Sequence, residues 1–250
     1  MDGMIDIHTH VIPGVDDGSR DMETSVRMLR IAAESGTVQI VATPHFDRGG
    51  GYANYVSAEL EERFARLERE AESAGIKLYR GMEIFADDDV PDLLESGRLW
   101  TLGGTRYFLT EFSFTEDPEY CSDYLRACAR RGFKPIIAHP ERYKFVQREP
   151  QIAYEWCRRG YGLQLNRGSL LGRFGEQAEL TAVKLIKHGL AACVGSDAHG
   201  AGRRTTYLKD VRSVIAEDFG EEYAGLLLER NPARLLAGRE LLGYEPYPFI

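Results

Sequence analysis

Short apolar runs alternate with longer amphipathic stretches along most of the chain. Seven runs rich in Ile, Val, Leu or aromatic residues, bounded by Gly, Pro or charge, predict β-strands. Between them, apolar residues recur at helical spacing, and several stretches end at glycine, a common helix terminator. The predicted strands are residues 4–10, 38–43, 77–84, 106–112, 134–139, 162–166 and 191–195. The predicted helices are residues 21–35, 57–74, 118–131, 150–159 and 176–188.

This alternation predicts an α/β fold with a parallel sheet. The even spacing, without a break in composition, favours one closed barrel over two domains, so residues 1–250 are expected to form a single domain. Beyond residue 205 the pattern is wholly helical, and these helices are expected to pack outside the barrel as residues 205–219, 221–229 and 232–237. The final segment, GYEPYPFI, is expected to be a docked terminus rather than a partner site.

Composition and charge restrict the classes of function. The chain is 43% hydrophobic and 28% charged, values that argue against disorder. A net charge of -8 gives no electrostatic basis for binding nucleic acid or an anionic membrane. Without a signal-peptide pattern or a membrane-spanning apolar run, we expect a soluble cytoplasmic protein with no membrane insertion.

The four cysteines follow neither a metal-binding nor a nucleophile pattern. None forms a C-x-x-C pair, and none is followed six residues later by arginine, as a cysteine-based phosphatase would require. We therefore expect free thiols in packed positions. These residues are Cys121, Cys128, Cys157 and Cys193.

Histidines and carboxylates gather at the C-terminal ends of the predicted strands. Of the six histidines, only His188 falls within a predicted helix. In a barrel, these strand ends converge on one mouth, where catalytic sites lie. Carboxylates brought together there would repel one another without cations, so the pattern predicts a multinuclear metal site. The residues are His8, His10, His45, Glu83, Glu111, His139, Asp197 and His199.

Eight short motifs are spread over these positions: MIDIHTH, VDDGS, ATPH, GYxN, GxEI, EF, AHPER and GSDAH. Together they resemble the motifs of PHP-superfamily (polymerase and histidinol phosphatase) metallophosphoesterases. Within that superfamily they look like the capsule-associated bacterial tyrosine phosphatases of the CpsB/CapC type. The resemblance covers residue 4 to residue 204, and it implies a distorted (β/α)7 barrel, in agreement with the seven predicted strands.

The resemblance also implies three divalent metal ions. Manganese is the expected metal, with iron, zinc or magnesium as alternatives. The implied ligands are His8, His10, Glu83 and Asp197 for the first ion, Glu83, Glu111 and His139 for the second, and Asp17, His45 and His199 for the third.

Arginines near the predicted mouth are candidates for binding phosphate, because a guanidinium matches two phosphate oxygens. The family pattern favours Arg142 and Arg204, with Arg203 as the weaker choice. Catalytic roles are also expected for Asp17 and His199. The proton donor to the leaving group stays open between His199 and a metal-bound water.

Two features near ATPH concern the rim of the site. Phe46 stands where members of the family often carry a second histidine, and we expect this difference to alter the substrate rim. The Gly-rich loop 48–54 bears Tyr52, whose ring is expected to pack against phosphotyrosine.

The predicted function is hydrolysis of a phosphate monoester by metal-activated water, without a phosphoenzyme. The expected substrate is a phosphotyrosyl protein, such as a bacterial tyrosine kinase of capsule or exopolysaccharide regulation. One alternative is a phosphatase of a small metabolite such as histidinol phosphate. Another is a non-catalytic metal-binding module that recruits the polysaccharide assembly machinery.

Overall fold

The computed structural model describes residues 3–243 and 246–249. Within this part of the chain, short strands alternate with helices. The strands are β1 (Met4–Thr9), β2 (Thr37–Ala42), β3 (His45–Asp47), β4 (Tyr52–Ala53), β5 (Lys77–Arg80), β6 (Glu83–Phe85), β7 (Tyr107–Glu111), β8 (Lys134–Ala138), β9 (Gly162–Asn166) and β10 (Ala191–Gly195). The helices are α1 (Met22–Glu34), α2 (Ala58–Ser73), α3 (Val90–Glu95), α4 (Pro118–Arg130), α5 (Lys144–Arg148), α6 (Gln151–Arg158), α7 (Arg167–Leu170), α8 (Glu176–Lys187), α9 (Lys209–Phe219), α10 (Glu221–Gly225) and α11 (Asn231–Leu236).

The strands form two sheets, ordered β1-β2-β5 and β10-β9-β8-β7-β6-β3-β4. The pairs are parallel except for the short hairpin β3–β4. All seven predicted strand positions are occupied, so the α/β class is confirmed. Parallel pairing brings the C-terminal ends of the strands to one side of the molecule.

Two of the predicted strands are interrupted. Residues 38–43 are followed by Pro44, which has no N–H to donate to a ladder, and the chain continues as β3. Residues 77–84 are divided at Gly81, where a Cβ atom would lie 2.6 Å from Cγ1 of Val41. At these breaks, pairing passes from β2–β5 to β3–β6, which places His45 opposite Glu83.

The two sheets meet again between β1 and the end of β10. The N–H of Asp197 donates to the carbonyl of His8 at 2.8 Å, and the N–H of His10 donates to the carbonyl of Ala198 at 2.9 Å. Among the described residues, a single bridge between Thr9 and Ala198 replaces a regular ladder at this junction. In the described part of the chain, the strands therefore form two sheets joined at this junction, and not the single closed barrel that the even spacing favoured.

The helices begin and end close to the predicted positions in the first half of the chain. Asp21 caps α1 by accepting from the N–H of Thr24, and Ser57 caps α2 by accepting from that of Leu60. The apolar faces of both helices are buried on the sheets.

Three details of the C-terminal region differ from the prediction. The helix expected from residue 205 begins at Lys209, because Arg167 holds the carbonyl of Thr205 in the preceding loop at 3.2 Å. The helix expected at residues 221–229 changes after α10 into a wider π-helical turn, Leu226–Arg230. The last helix, α11, starts at Asn231 and ends one residue early.

The described part of the tail, residues 246–249, docks as expected. The ring of Phe249 stacks on His188 with a centroid distance of 3.9 Å. The N–H of Tyr247 donates to the carbonyl of His188 at 3.0 Å. The expected docking of Tyr244, Glu245 and Ile250 lies outside the described residues.

Candidate metal centre

Parallel strand ends bring together all nine side chains that the sequence suggested as metal ligands. They come from four strands, β1, β3, β6 and β7, and from the segments that follow β1, β8 and β10. Most are buried, with Asp17 the most exposed, at 51% of its side chain. The set is His8, His10, Asp17, His45, Glu83, Glu111, His139, Asp197 and His199.

Hydrogen bonds fix the orientation of His8. Its Nδ1 lies 2.7 Å from Oε1 of Gln164, and Nε2 of that amide donates to the carbonyl of Leu165 at 2.7 Å. Because an amide oxygen only accepts, Nδ1 of His8 must carry the proton. The Nε2 atom is then the one available to a metal.

His10 is held in the same way by a carboxylate. Its Nδ1 lies 2.8 Å from Oδ2 of Asp16, which also accepts from the N–H of His45 at 3.0 Å. The other oxygen of Asp16 accepts from the N–H of Gly18. The Nε2 atoms of His8 and His10 consequently face each other at 3.3 Å.

Two carboxylates join His8 and His10 to complete a first group of candidate ligands. Oε2 of Glu83 lies 3.0 Å from Nε2 of His8 and 3.2 Å from Nε2 of His10. Oδ1 of Asp197 lies 3.5 Å from both of these nitrogens. The four residues and their grouping match the set implied for the first ion.

The second group is built around the far side of Glu83. Nε2 of His139 lies 2.9 Å from Oε1 of Glu83 and 3.6 Å from Oε2 of Glu111. His45 also faces this group, with Nδ1 at 3.3 Å from Glu83 and 3.2 Å from Glu111. The resemblance placed His45 only with the third ion, whereas the structure sets it between the second and third groups.

The third group lies nearest to solvent. Oδ1 of Asp17 is 3.4 Å from Nε2 of His199 and 3.5 Å from Nε2 of His45. Asn54, the last residue of the GYxN motif, donates from Nδ2 to the carbonyls of Val15 and His45 at 2.9 and 2.8 Å. This amide therefore ties the loop that bears Asp17 to the strand that bears His45.

The charges within the cluster compensate one another. Burial alone would raise the pKa of Glu83, yet the positive charges of His8 and His45 hold that pKa well below its usual range. Burial would lower the pKa of His10, but the Asp16 carboxylate raises it well above its ordinary value. Burial would also lower the pKa of His45, but Glu83 and Glu111 together raise that pKa to about 9.

In the third group, burial has the larger effect, and the pKa of His199 is lowered. Burial and the positive charge of His10 lower the pKa of His199. The hydrogen bond to His199 lowers the pKa of Asp17 to about 2. His199 is thus mainly neutral and Asp17 ionised near pH 7, which are the forms that bind metal.

Two ligand positions depend on unusual backbone conformations. His139 at the end of β8 and Asp197 after β10 have φ angles of 35° and 49°. Such left-handed conformations are uncommon for residues with a Cβ atom and concentrate at functional sites. They turn both side chains inward over the strand ends.

The donor set fits divalent metal ions. In each of three sets of side chains, the ligand atoms all lie within 4.8 Å of one another, as the ligands of one ion would. The sets are His8, His10, Glu83 and Asp197; His45, Glu83 and Glu111; and His10, Asp17, His45 and His199, and His139 belongs to none of them. Nδ1 of His45 is buried without a hydrogen-bond partner, although it faces Glu83 and Glu111. Mixed imidazole and carboxylate ligands suit transition metals and magnesium, and shared carboxylates are typical of multinuclear sites.

The arginines differ in their relation to the cluster. Arg204 forms an ion pair with Oδ2 of Asp197, and a guanidinium nitrogen of Arg142 lies 3.6 Å from the same oxygen. Arg203 is exposed. The placement agrees with the preference for Arg142 and Arg204.

The expectation that Phe46 alters the substrate rim is wrong. Successive residues of a strand point to opposite faces, so His45 faces the cluster while Phe46 points into the core. Its side chain is 1% exposed and packs edge-on against Tyr55. Tyr52, by contrast, lies beside the cluster, with its ring stacked over His45 at 5.7 Å.

Sequence reasoning missed four residues that support the ligands. Asn166 donates to Asp197, and Glu141 accepts from the N–H of Asn166 at 2.9 Å. Asp16 and Gln164 hold the two histidines of β1. Polar residues inside an otherwise apolar strand, as in GLQLN, were the available signal.

The fold and the cluster define an α/β protein whose strand ends carry a candidate multinuclear metal centre. A model of the family described as capsular polysaccharide synthesis, CpsB/CapC, matches residues 4–237. The chain belongs to the CpsB/CapC family.

Individual relatives agree with this assignment. Tyrosine-protein phosphatase YwqE of Bacillus subtilis (strain 168) is 33% identical over 247 residues, covering 98% of this chain and 96% of that protein. A structure from the work on YwqE of Bacillus subtilis and CpsB of Streptococcus pneumoniae, described as unique metal-dependent tyrosine phosphatases, superposes with a TM-score of 0.90. It is 32% identical and covers 99% of this chain and 100% of its own.

A more distant structure shares the fold. Histidinol phosphate phosphatase from Lactococcus lactis subsp. lactis has a TM-score of 0.57 at 17% identity, covering 90% of this chain and 94% of that chain. This likeness shows the architecture alone.

Among the described residues, no helix combines the length and apolar character needed to cross a membrane.

Proposed function

We propose that this protein is a metal-dependent protein-tyrosine phosphatase. The observation that carries the proposal is the pair His8 and His10, whose Nε2 atoms face each other at 3.3 Å while both Nδ1 atoms are engaged. Such a pair is prepared to bind metal and sits among carboxylates. The family and its tyrosine phosphatase members support the same chemistry.

We propose that the nine residues hold three divalent ions, with manganese preferred. The first ion would be held by the ligands implied from the sequence, and Glu83, which belongs to two groups, would be shared with the second. His45 faces both the second and third groups, so its two ring nitrogens could serve either of the outer two ions. Bound metals would supply a water of lowered pKa and would neutralise phosphate oxygens.

Arg142 and Arg204 are proposed to bind the non-reacting phosphate oxygens. Both guanidinium groups already converge on one carboxylate oxygen of Asp197, which is an anionic position at the edge of the cluster. A phosphate at this edge would receive hydrogen bonds from two sides. Asp17 and His199 lie on the solvent side, where a leaving phenolate would depart.

The proposed substrate is a phosphotyrosyl protein, for example a bacterial tyrosine kinase of capsule or exopolysaccharide regulation. Tyr52 beside His45 offers an aromatic surface for the substrate ring. We also propose that the chain acts as one domain, because strands from β1 to β10 contribute to the same site. Action in the cytoplasm would suit its four cysteines, which are free thiols.

The experiment is a comparison of kcat/KM for a phosphotyrosyl peptide and for histidinol phosphate, with and without Mn²⁺. A preference for the peptide that is lost on chelation and in His8→Ala supports the proposal. The control is His188→Ala, because His188 directly follows α8, contacts the tail and lies outside the cluster.

The other outcomes would contradict the proposal in different ways. A preference for histidinol phosphate would retain the metal centre and assign a metabolite phosphatase. Metal binding without hydrolysis of either substrate would favour the recruitment module.

A further inference from the structure

Arg142 lies over two aromatic rings. Its guanidinium carbon is 4.6 Å from the centroid of Phe114 and 4.3 Å from that of Phe174. The ring of Phe114 is 40% exposed and also lies 6.2 Å from the rings of His139 and Tyr143. A guanidinium that stacks on aromatic rings keeps its edge, where the N–H groups lie, available for hydrogen bonding.

Phe174 also contacts the second arginine. The guanidinium carbon of Arg204 is 5.7 Å from its ring centroid. Arg142 and Arg204 both reach toward Oδ2 of Asp197, so two like charges share a small space. The negative face of an aromatic ring attracts both cations and reduces their repulsion.

The ring of Phe174 packs directly against the backbone of Gly168. A Cβ atom at residue 168 would lie 2.5 Å from Cε2 of Phe174, which is closer than non-bonded atoms approach. Gly168 lies in α7 directly after β9, and its N–H donates to the side chain of Asn166 at 2.7 Å. The ring is therefore seated on the backbone that follows a strand of the metal centre.

We propose that Phe114 and Phe174 form an aromatic clamp, a pair of positioning residues that orient Arg142, and through Phe174 also Arg204, toward a bound phosphate. Neither ring needs to touch the reacting atoms. The clamp holds Arg142 by its faces, where its carboxylate contact, at 3.6 Å from Asp197, is too long for a hydrogen bond. This inference rests on the proposed phosphatase function.

Three single variants test the clamp: Phe174→Leu, Phe114→Leu and Gly168→Ala. In metal-loaded protein we expect each to lower kcat/KM on a phosphotyrosyl peptide by about tenfold and to weaken inorganic phosphate binding in calorimetry. Metal content per chain should stay at the wild-type value. Phe114→Tyr keeps the ring and should retain activity, while Phe219→Leu on α9 is the control for the loss of a ring elsewhere.

A double-mutant cycle shows whether the rings act through arginine. In an Arg142→Ala background, we expect Phe114→Leu to have little further effect, because the group it positions is gone. Likewise, Gly168→Ala should have little further effect on kcat/KM in a Phe174→Leu background. Full additivity in either cycle, or loss of metal in the single variants, would overturn the clamp and assign the rings a structural role.

The failure of the clamp and the failure of the proposed function give different results. If wild-type protein hydrolyses neither substrate, the phosphatase proposal fails, and phosphate affinity alone then tests the clamp. If wild-type protein is active and the leucine variants match it in activity and phosphate affinity, only the clamp is overturned.

Discussion

Asp16 and Asp17 are neighbours in the chain, yet their carboxylates serve different histidines. Asp16 lies 2.8 Å from Nδ1 of His10, whereas Asp17 lies 3.4 Å from Nε2 of His199. Asp16 is thus placed to orient His10 through its Nδ1 atom, whereas Asp17 is placed to contact a metal directly. The resemblance distinguished Asp17, but the role of Asp16 emerges from the folded chain.

This division of roles predicts different effects for two similar substitutions. Asp17→Asn should reduce the number of tightly bound metals by one per chain, because it weakens a ligand of the outer group. Asp16→Asn should keep the full number but weaken metal binding by about 10–100-fold, since the charged acceptor of His10 is replaced by a neutral amide. Metal titration followed by calorimetry measures both. Asp218→Asn, on the exposed side of α9, is the control, and equal effects of the two variants would contradict the division.

The arginines predict a graded series of kinetic effects. Arg142→Lys and Arg204→Lys should each lower kcat/KM on a phosphotyrosyl peptide by about 10–100-fold, because lysine cannot bind two phosphate oxygens in one plane. Arg203→Lys should stay within about twofold of wild type, because Arg203 is exposed. Steady-state kinetics on metal-loaded protein provides the comparison. A larger loss in Arg203→Lys than in Arg204→Lys would reverse the assignment.

Metal removal should change the sign of the pH dependence of stability. The pKa of His45 in the folded protein is about 9, above its ordinary 6.5, so its stabilising charge is complete below pH 6.5 and lost as the pH rises toward 9. We expect the Tm of metal-free protein to fall by about 4 °C between pH 7 and 9. With metal bound, Tm should rise over the same range, because protons no longer compete for the ligands.

Thermal unfolding with EDTA and with Mn²⁺ across this pH range measures both trends. His45→Gln should flatten the metal-free curve, since its side chain does not titrate. A metal-free Tm that rises from pH 7 to 9 would show that other groups dominate.

Phe46 provides a test of the strand geometry. Phe46→His should lower the free energy of unfolding by about 2–4 kcal/mol, because it buries a polar ring in place of an apolar one. Metal content should not increase, as residue 46 points away from the cluster. Elemental analysis and denaturant unfolding measure the two effects. An additional bound metal would show that residue 46 faces the cluster, which would contradict this geometry.

The pattern of the sequence was sufficient for the seven strand positions and for eight of the nine candidate ligands. Apolar runs between glycine and proline mark the strands, and histidines and acids at their ends mark the side on which they meet. These are local signals, because each depends on a few adjacent residues. The motifs added Asp17 and the choice of Arg142 and Arg204.

Only the tertiary structure decided how those residues face one another. The break at Pro44 and Gly81 shifts the strand pairing so that His45 reaches both Glu83 and Asp17. Gln164 supports His8 although 156 positions separate them in the chain. Phe174 joins Arg142 and Arg204 through a loop with no recognisable motif. Such contacts depend on packing between distant segments, and the pattern of polar and apolar residues carries no information about these distances.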